Sequence, residues 1–186
     1  PCFDDVKRKM LLSPNADIVP YDSKLWAVFK RTEIKYDKGL SFKNEQALAD
    51  FAAEYFFGKN SLLIICNTKA SALNTYTSLK AHNTGAHMFH LSTNMCMAHR
   101  KAVFARMTEM LSSGKKVICV STQLIEAGMD ISFEAVIRVK AGLDNVVQSA
   151  GRNNRNNENP FGGELIIVTL LNENLSFLNE IADAQK

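Results

Sequence analysis

The chain has 186 residues, close to the length of one ordinary domain. Its 22 Lys and Arg against 19 Asp and Glu leave a net charge of +3, which permits a nucleic-acid partner without requiring one. Hydrophobic residues make up 46% and charged residues 22%, which excludes a disordered or fibrous chain. No apolar run approaches the ~20 residues of a membrane span, so no membrane partner is expected. The four cysteines, Cys2, Cys66, Cys96 and Cys119, lack the pair spacing of a metal site. Cys66 and Cys119 lie inside apolar runs and read as buried free thiols. That usage suits a reducing cytosol, so the expected compartment is the cytoplasm. The chain begins at Pro1 with no signal segment, and the expectation is a piece excised from something larger.

Residues 1–40 read as a leading linker with a first strand at Trp26–Ile34, broken earlier by Pro14 and Pro20. A single domain is expected over 41–186. Leu48, Phe51, Ala52, Tyr55 and Phe56 mark one face of a helix that stops at Gly58. Ser61–Cys66 is a continuous apolar run, the mark of a strand buried on both faces. Thr68 can cap a helix carrying Ala70, Leu73, Tyr76 and Leu79. A short strand follows at Met88–Leu91. Val103, Phe104, Met107, Met110 and Leu111 mark the next helix, closed at Gly114. Strands are expected at Lys116–Val120, Ala135–Val139 and Leu165–Leu170. Val146, Val147 and Ala150 mark a short helix between the last two strands. A final helix is expected over Asn174–Ala184. This alternation predicts an α/β fold: a parallel sheet with helices on both faces.

Ligands of such sheets bind beyond the carboxyl ends of the strands. Small polar residues cluster there, in Asn67-Thr68-Lys69, Ser92-Thr93-Asn94 and Ser121-Thr122-Gln123. Thr122 follows a buried strand and can offer a hydroxyl and a backbone N–H to a phosphate. Further on, Gly128 and Asp130 follow a short helical turn, and Asp130 can accept from a ribose hydroxyl. In Gln148-Ser149-Ala150-Gly151-Arg152-Asn153-Asn154-Arg155, the spacing puts Gln148, Arg152 and Arg155 on one helix face. Two guanidiniums there repel unless an anion lies between them, and the planar fork of Arg suits a triphosphate. The same residues also read as a solvated helix end with two surface arginines.

Ser121-Thr122-Gln123 through Glu126-Ala127-Gly128-Met129-Asp130, followed by Gln148-x-x-Gly151-Arg152-x-x-Arg155, resembles the last two motifs of superfamily-two helicases. Val120–Ile131 with Leu143–Arg155 is similar to the CRISPR-associated helicase-nuclease family of type I interference systems. Phe89–Arg100 and Ile64–Lys69 extend that likeness, so it covers residues 60–172. Met97 replaces a proline usual in that family, and Asn153 replaces a frequent cysteine. The resemblance implies a RecA-like (P-loop NTPase-like) fold and a helicase C-terminal domain. It implies that Arg152 and Arg155 are arginine fingers for ATP held by a first domain. Gln148 would be their polar partner, with Gly128 and Asp130 near the ribose. Asn67, Thr68, Lys69 and Thr122 would face the backbone of single-stranded DNA. The implied partners are the first RecA-like domain, a nuclease domain and the CRISPR RNA-guided surveillance complex.

The sequence contains no Gly-x-x-x-x-Gly-Lys-[Ser/Thr] loop, so nothing here cradles the β- and γ-phosphates. It has no Asp-Glu-x-His box and no His followed by Asp, so no metal site is expected in this chain. Magnesium would be held by the first domain, and the chain alone would be inactive. Two other readings stay open: a different superfamily-two helicase, such as a DEAH-type RNA helicase, or a non-enzymatic α/β adaptor that binds nucleic acid or protein.

Overall fold

The structure is a computed structural model. It describes residues 30–126, 130–156, 159, 162–176, 178, 181 and 183, with the short segments 2–3 and 10–11. The chain forms two units, Pro1–Lys30 and Arg31–Lys186. In the first, β1 (Cys2–Phe3) pairs antiparallel with β2 (Met10–Leu11).

The second unit alternates strand and helix, as the apolar runs predict. Its elements are β3 (Thr32–Phe42), α1 (Glu45–Tyr55), β4 (Ser61–Ile65), α2 (Lys69–Leu79), β5 (His87–Leu91) and α3 (Met97–Ser112). They continue with β6 (Val117–Ser121), a 3₁₀ turn (Gln123–Glu126), β7 (Ala135–Val139), α4 (Leu143–Ala150) and β8 (Gly163–Leu170). The six strands β3–β8 form one sheet in the order β3-β8-β7-β4-β6-β5, and every pairing is parallel.

Side chains alternate across the central strands, because successive residues of a strand point to opposite faces. Leu62 and Ile64 of β4 enter one core with Leu48 and Ala52 of α1 and Ala72 and Leu79 of α2. Leu63 and Ile65 enter the other, with Met107 of α3, Val146 of α4 and Phe133. All five residues of β4, of β6 and of β7 are buried. Burying one such Leu or Ile side chain contributes ~1.5–3 kcal/mol, so these three strands anchor the fold.

The helix ends follow local chemistry. Asn44 Oδ1 accepts from the Ala47 N–H at 3.0 Å and Thr68 Oγ1 from the Ser71 N–H at 3.0 Å, so both helices start on side-chain caps. After α3, Gly114 takes φ 68°, which ends that helix in the left-handed region glycine favours. Met97 is the first residue of α3, a position that also suits proline.

Three differences from the sequence reading stand out. The edge strand starts at Thr32 and runs on through the polar residues Asp37, Lys38 and Gly39 to Phe42. Pairing with β8 stops at Tyr36 and resumes at Ser41 and Phe42 beyond a bulge, which carries the strand on; residues 26–29 lie outside the described residues. Val147, read as part of an apolar stripe, is 58% exposed, while its neighbour Val146 is buried. In the expected last helix, Asn174 and Leu175 are not helical, and helical conformation occurs at residues 181 and 183.

Candidate functional site

The candidate residues fall at opposite ends of the sheet. Asn67, Thr68, Lys69 and Thr122 lie at the carboxyl ends of β4 and β6. These strands are adjacent, with Ile65 opposite Ser121, and the Cys66 N–H donates to the Ser121 carbonyl at 2.9 Å. The structure therefore brings the four together. Lys69 is exposed at the start of α2, whose first turn carries no acidic residue. The positive end of that helix's dipole lies at the same end as Lys69. Thr68 is half-buried, and its hydroxyl caps α2 while donating to Ser71 Oγ at 2.8 Å. Thr122 is buried, with its N–H directed at the Leu91 carbonyl at 3.4 Å. Asn67 is also buried, and its amide is turned inward. Its Nδ2 donates to the Lys140 carbonyl at 2.9 Å and to Glu173 Oε2 at 2.7 Å, while Oδ1 accepts from Arg138 at 2.6 Å. Desolvation raises the Glu173 carboxyl above its ordinary value, against the pull of Asn67 and Arg138.

Asp130, Arg152 and Arg155 lie at the amino ends, just before β7 and β8. The expected common helix face for Gln148, Arg152 and Arg155 is not observed. Helix α4 ends at Ala150, because the chain beyond it pairs with Phe133 instead. The Phe133 N–H donates to the Arg152 carbonyl at 2.9 Å, and the Asn154 N–H donates to the Phe133 carbonyl at 2.9 Å. Asn154 then takes φ 44°, a left-handed turn that Asn tolerates better than most residues. The two arginines diverge as a result. Arg152 is buried at 6% exposure, whereas the Arg155 side chain is 39% exposed. Arg155 Nε pairs with Asp130 Oδ1 at 3.0 Å. Its N–H donates to Ser132 Oγ at 3.0 Å, and its carbonyl accepts from Arg31 Nη1 at 2.6 Å. Gln148 is exposed on α4. Gly128 lies outside the described residues.

An open cleft of about 650 Å³ runs along this amino-end edge, lined by Lys115, Asp130, Ser132, Glu134 and Asn154 among others. It carries polar groups of both signs and room for a polar ligand. Among the described residues, no group of three or more His, Cys, Asp or Glu side chains is arranged to hold a metal ion. No helix among them is long and apolar enough to cross a membrane.

Sequence reasoning missed Arg138, Ser132 and Asn153. Arg138 left a signal: it is the one charged residue in the apolar run Ala135–Val139. Asn153 is buried, and its Nδ2 reaches the carbonyls of Phe133, Glu134 and Glu164 at 3.0–3.3 Å. Asn153 thus supplies a polar tie at the amino end.

A six-stranded, all-parallel sheet of this order with helices on both faces is a RecA-like α/β domain. A family model described as CRISPR-associated nuclease/helicase Cas3, C-terminal, matches residues 58–158, just over half of the chain. The chain belongs to that family. It is 46% identical to the CRISPR-associated nuclease/helicase Cas3 of Haloferax volcanii over 61 residues, 31% of this chain and 6% of that protein. The T. fusca Cas3 structure with ADP shares 19% identity, covers 94% of this chain and 22% of its own, and has a TM-score of 0.66. T. fusca Cas3 has also been solved with AMPPNP and with ATP. A Mycobacterium smegmatis helicase Lhr structure bound to ssDNA and AMP-PNP shares 15% identity at a TM-score of 0.54, over 76% of this chain and 19% of its own. The chain therefore spans only a small part of the relatives it matches.

Proposed function

We propose that this chain is the second RecA-like domain of an ATP-dependent DNA helicase of CRISPR interference. The domain extends from β3 at Thr32 through the residues after β8. ATP sits between this domain and a first RecA-like domain that supplies the phosphate cradle and holds magnesium. The amino-end cluster faces that nucleotide. Asp130 accepts from the ribose, and Gln148 contributes a polar contact beside it. Arg155 brings its guanidinium to the γ-phosphate when the domains close, whereas Arg152, expected as a second finger, is buried in this domain. There Arg155 stabilises charge as the phosphoryl group transfers, an effect that acts on the transition state more than on ground-state binding. At the other end of the sheet, Thr68, Lys69 and Thr122 contact the sugar-phosphate backbone of single-stranded DNA. Such contacts carry little sequence preference. Opening and closing the cleft steps the domain along the strand. A nuclease domain and the RNA-guided surveillance complex are the partners of the complete protein. The 186-residue chain alone hydrolyses no ATP.

The observation that carries this reading is the position of Arg155. Its backbone is fixed by Ser132 and Arg31, while its guanidinium stands at the surface in an exposed pair with Asp130. A finger needs that combination of a held backbone and a reachable charge. The test is steady-state ATPase of the full-length protein with saturating single-stranded DNA. Arg155→Ala should lower turnover ~10³-fold or more, with a smaller change in ATP affinity. Arg155→Lys should rescue poorly, because an ammonium lacks the planar fork. Turnover near that of the parent would sink the assignment.

A further inference from the structure

The strand β7 contains a charge where its neighbours are all apolar. Arg138 is fully buried, opposite Ile65 of β4 on one side and Ile167 of β8 on the other. A guanidinium taken out of water destabilises the fold unless its donors are matched. Its Nη1 reaches Asn67 Oδ1 at 2.6 Å, the Val139 carbonyl at 2.8 Å and the Ile65 carbonyl at 3.4 Å. Asn67 in turn spends both amide hydrogens on Lys140 and Glu173. One buried cation thus organises the segments that follow β4, β7 and β8. All three segments lie at the carboxyl end of the sheet. The residue directly after Asn67 is Thr68, which caps α2, and the next is Lys69.

We infer that Arg138 is a positioning residue for nucleic-acid binding: it fixes Asn67, and through Asn67 it sets where Thr68 and Lys69 meet the strand. This deepens the strand-binding reading above and rests on it. It also reassigns Asn67, which the sequence placed against the strand. With its amide hydrogens committed inward, Asn67 aims the loop rather than touching DNA. An apolar residue at 138 would suit the strand as well as Val136 or Ile137 does. The arginine is explained by the loop it orders. Thr122 lies outside this network: its neighbours are Ser121, Leu91 and Ile125.

The test is a double-mutant cycle in the full-length protein, read by fluorescence anisotropy with labelled oligo(dT). Arg138→Met fills the same space with an apolar chain but leaves Asn67 Oδ1 and the Val139 and Ile65 carbonyls without their donor, so a thermal melt precedes the binding assay. The variant should weaken strand binding about tenfold, on the scale of one lost charged contact. Lys69→Ala should weaken binding too. Combining Lys69→Ala with Arg138→Met should add less than about twofold, since the loop is already misplaced. Thr122→Ala should instead add its full effect to Arg138→Met. Arg138→Lys should recover part of the affinity, because one ammonium can reach some of the same acceptors. A role confined to stability would lower the melting temperature yet leave the Lys69 effect on binding intact. Full additivity with Lys69→Ala, or binding by Arg138→Met within about twofold of the parent, overturns the positioning role. Unchanged binding by Lys69→Ala and Thr122→Ala together removes the strand-binding reading, and the positioning role with it. If Arg138→Met does not fold, Asn67→Asp takes its place in the cycle. It keeps the acceptor for Arg138 but loses both donors, and the same outcomes decide.

Discussion

Asn153 and Gly163 occupy one space: a Cβ added at Gly163 would lie 2.0 Å from Asn153 Oδ1. The first residue of β8 has no side chain because the buried amide of Asn153 fills its place. That amide ties the segment after α4 to the starts of β7 and β8. Gly163→Ala must push Asn153 out and break those bonds. It should cost ~2–4 kcal/mol, combining overpacking with lost buried hydrogen bonds. Urea unfolding measures the loss. The double variant with Asn153→Ala should lose less than the two single losses added, since the clash is then absent.

Asp130 holds Arg155 in an exposed pair, and such pairs contribute little to stability. Asp130→Ala should therefore leave the thermal melt nearly unchanged. In the full-length protein, the same change should raise the KM for ATP. An unchanged KM would remove Asp130 from the nucleotide site.

The purified 186-residue chain should show no DNA-stimulated ATP hydrolysis, because it lacks a phosphate-cradling loop. Phosphate release above the buffer rate would contradict the division of labour between two domains.

The described thiols should differ sharply in reactivity. Burial pushes Cys66 up to about 12, against a modest opposing hydrogen bond from Thr75, and burial also raises Cys119. Cys96 is exposed at the start of α3. The thiolate is the reactive form, so iodoacetamide near neutral pH should label Cys96 and spare Cys66 and Cys119 until the chain unfolds. Peptide mass mapping reads the result.

His90 lies half-buried on β5, its ring 5.4 Å from that of Tyr76, and desolvation lowers its pKa from the ordinary 6.5. The unfolded chain then binds a proton more readily than the folded one. This contribution to stability is present above the unfolded pKa and is lost as pH falls through the folded value. Urea midpoints should fall between about pH 7.5 and about pH 5.5, and His90→Phe should flatten that slope.

The strands most deeply buried were the most legible. Ser61–Ile65 and Ala135–Val139 lie between two helical layers, so their apolar runs marked them without ambiguity. Edge strand β3 was harder to read, because its side chains are mostly exposed and pairing with β8, rather than residue preference, extends it. The two polar clusters were visible as ordered motifs. Their geometry was hidden, because the i, i+4, i+7 spacing of Gln148, Arg152 and Arg155 assumes a helix that the bridge to Phe133 cuts short. The inward turn of Asn67 was hidden too, since its partners Arg138 and Glu173 are remote in sequence.

The sheet places its first strand, β3, beside its last, β8, and joins no two neighbouring strands by a hairpin. During synthesis, Thr32–Phe42 is made before the other strands of this sheet and has no partner in it until Gly163–Leu170 has been made. Until then its unpaired edge and the exposed Ile34 and Tyr36 are open to other chains. Closing the sheet encloses nearly the whole unit in one loop, which makes folding slow compared with chains built on local contacts. A nascent chain stalled before β8 is the species most prone to aggregate, and a holding chaperone should act in that window.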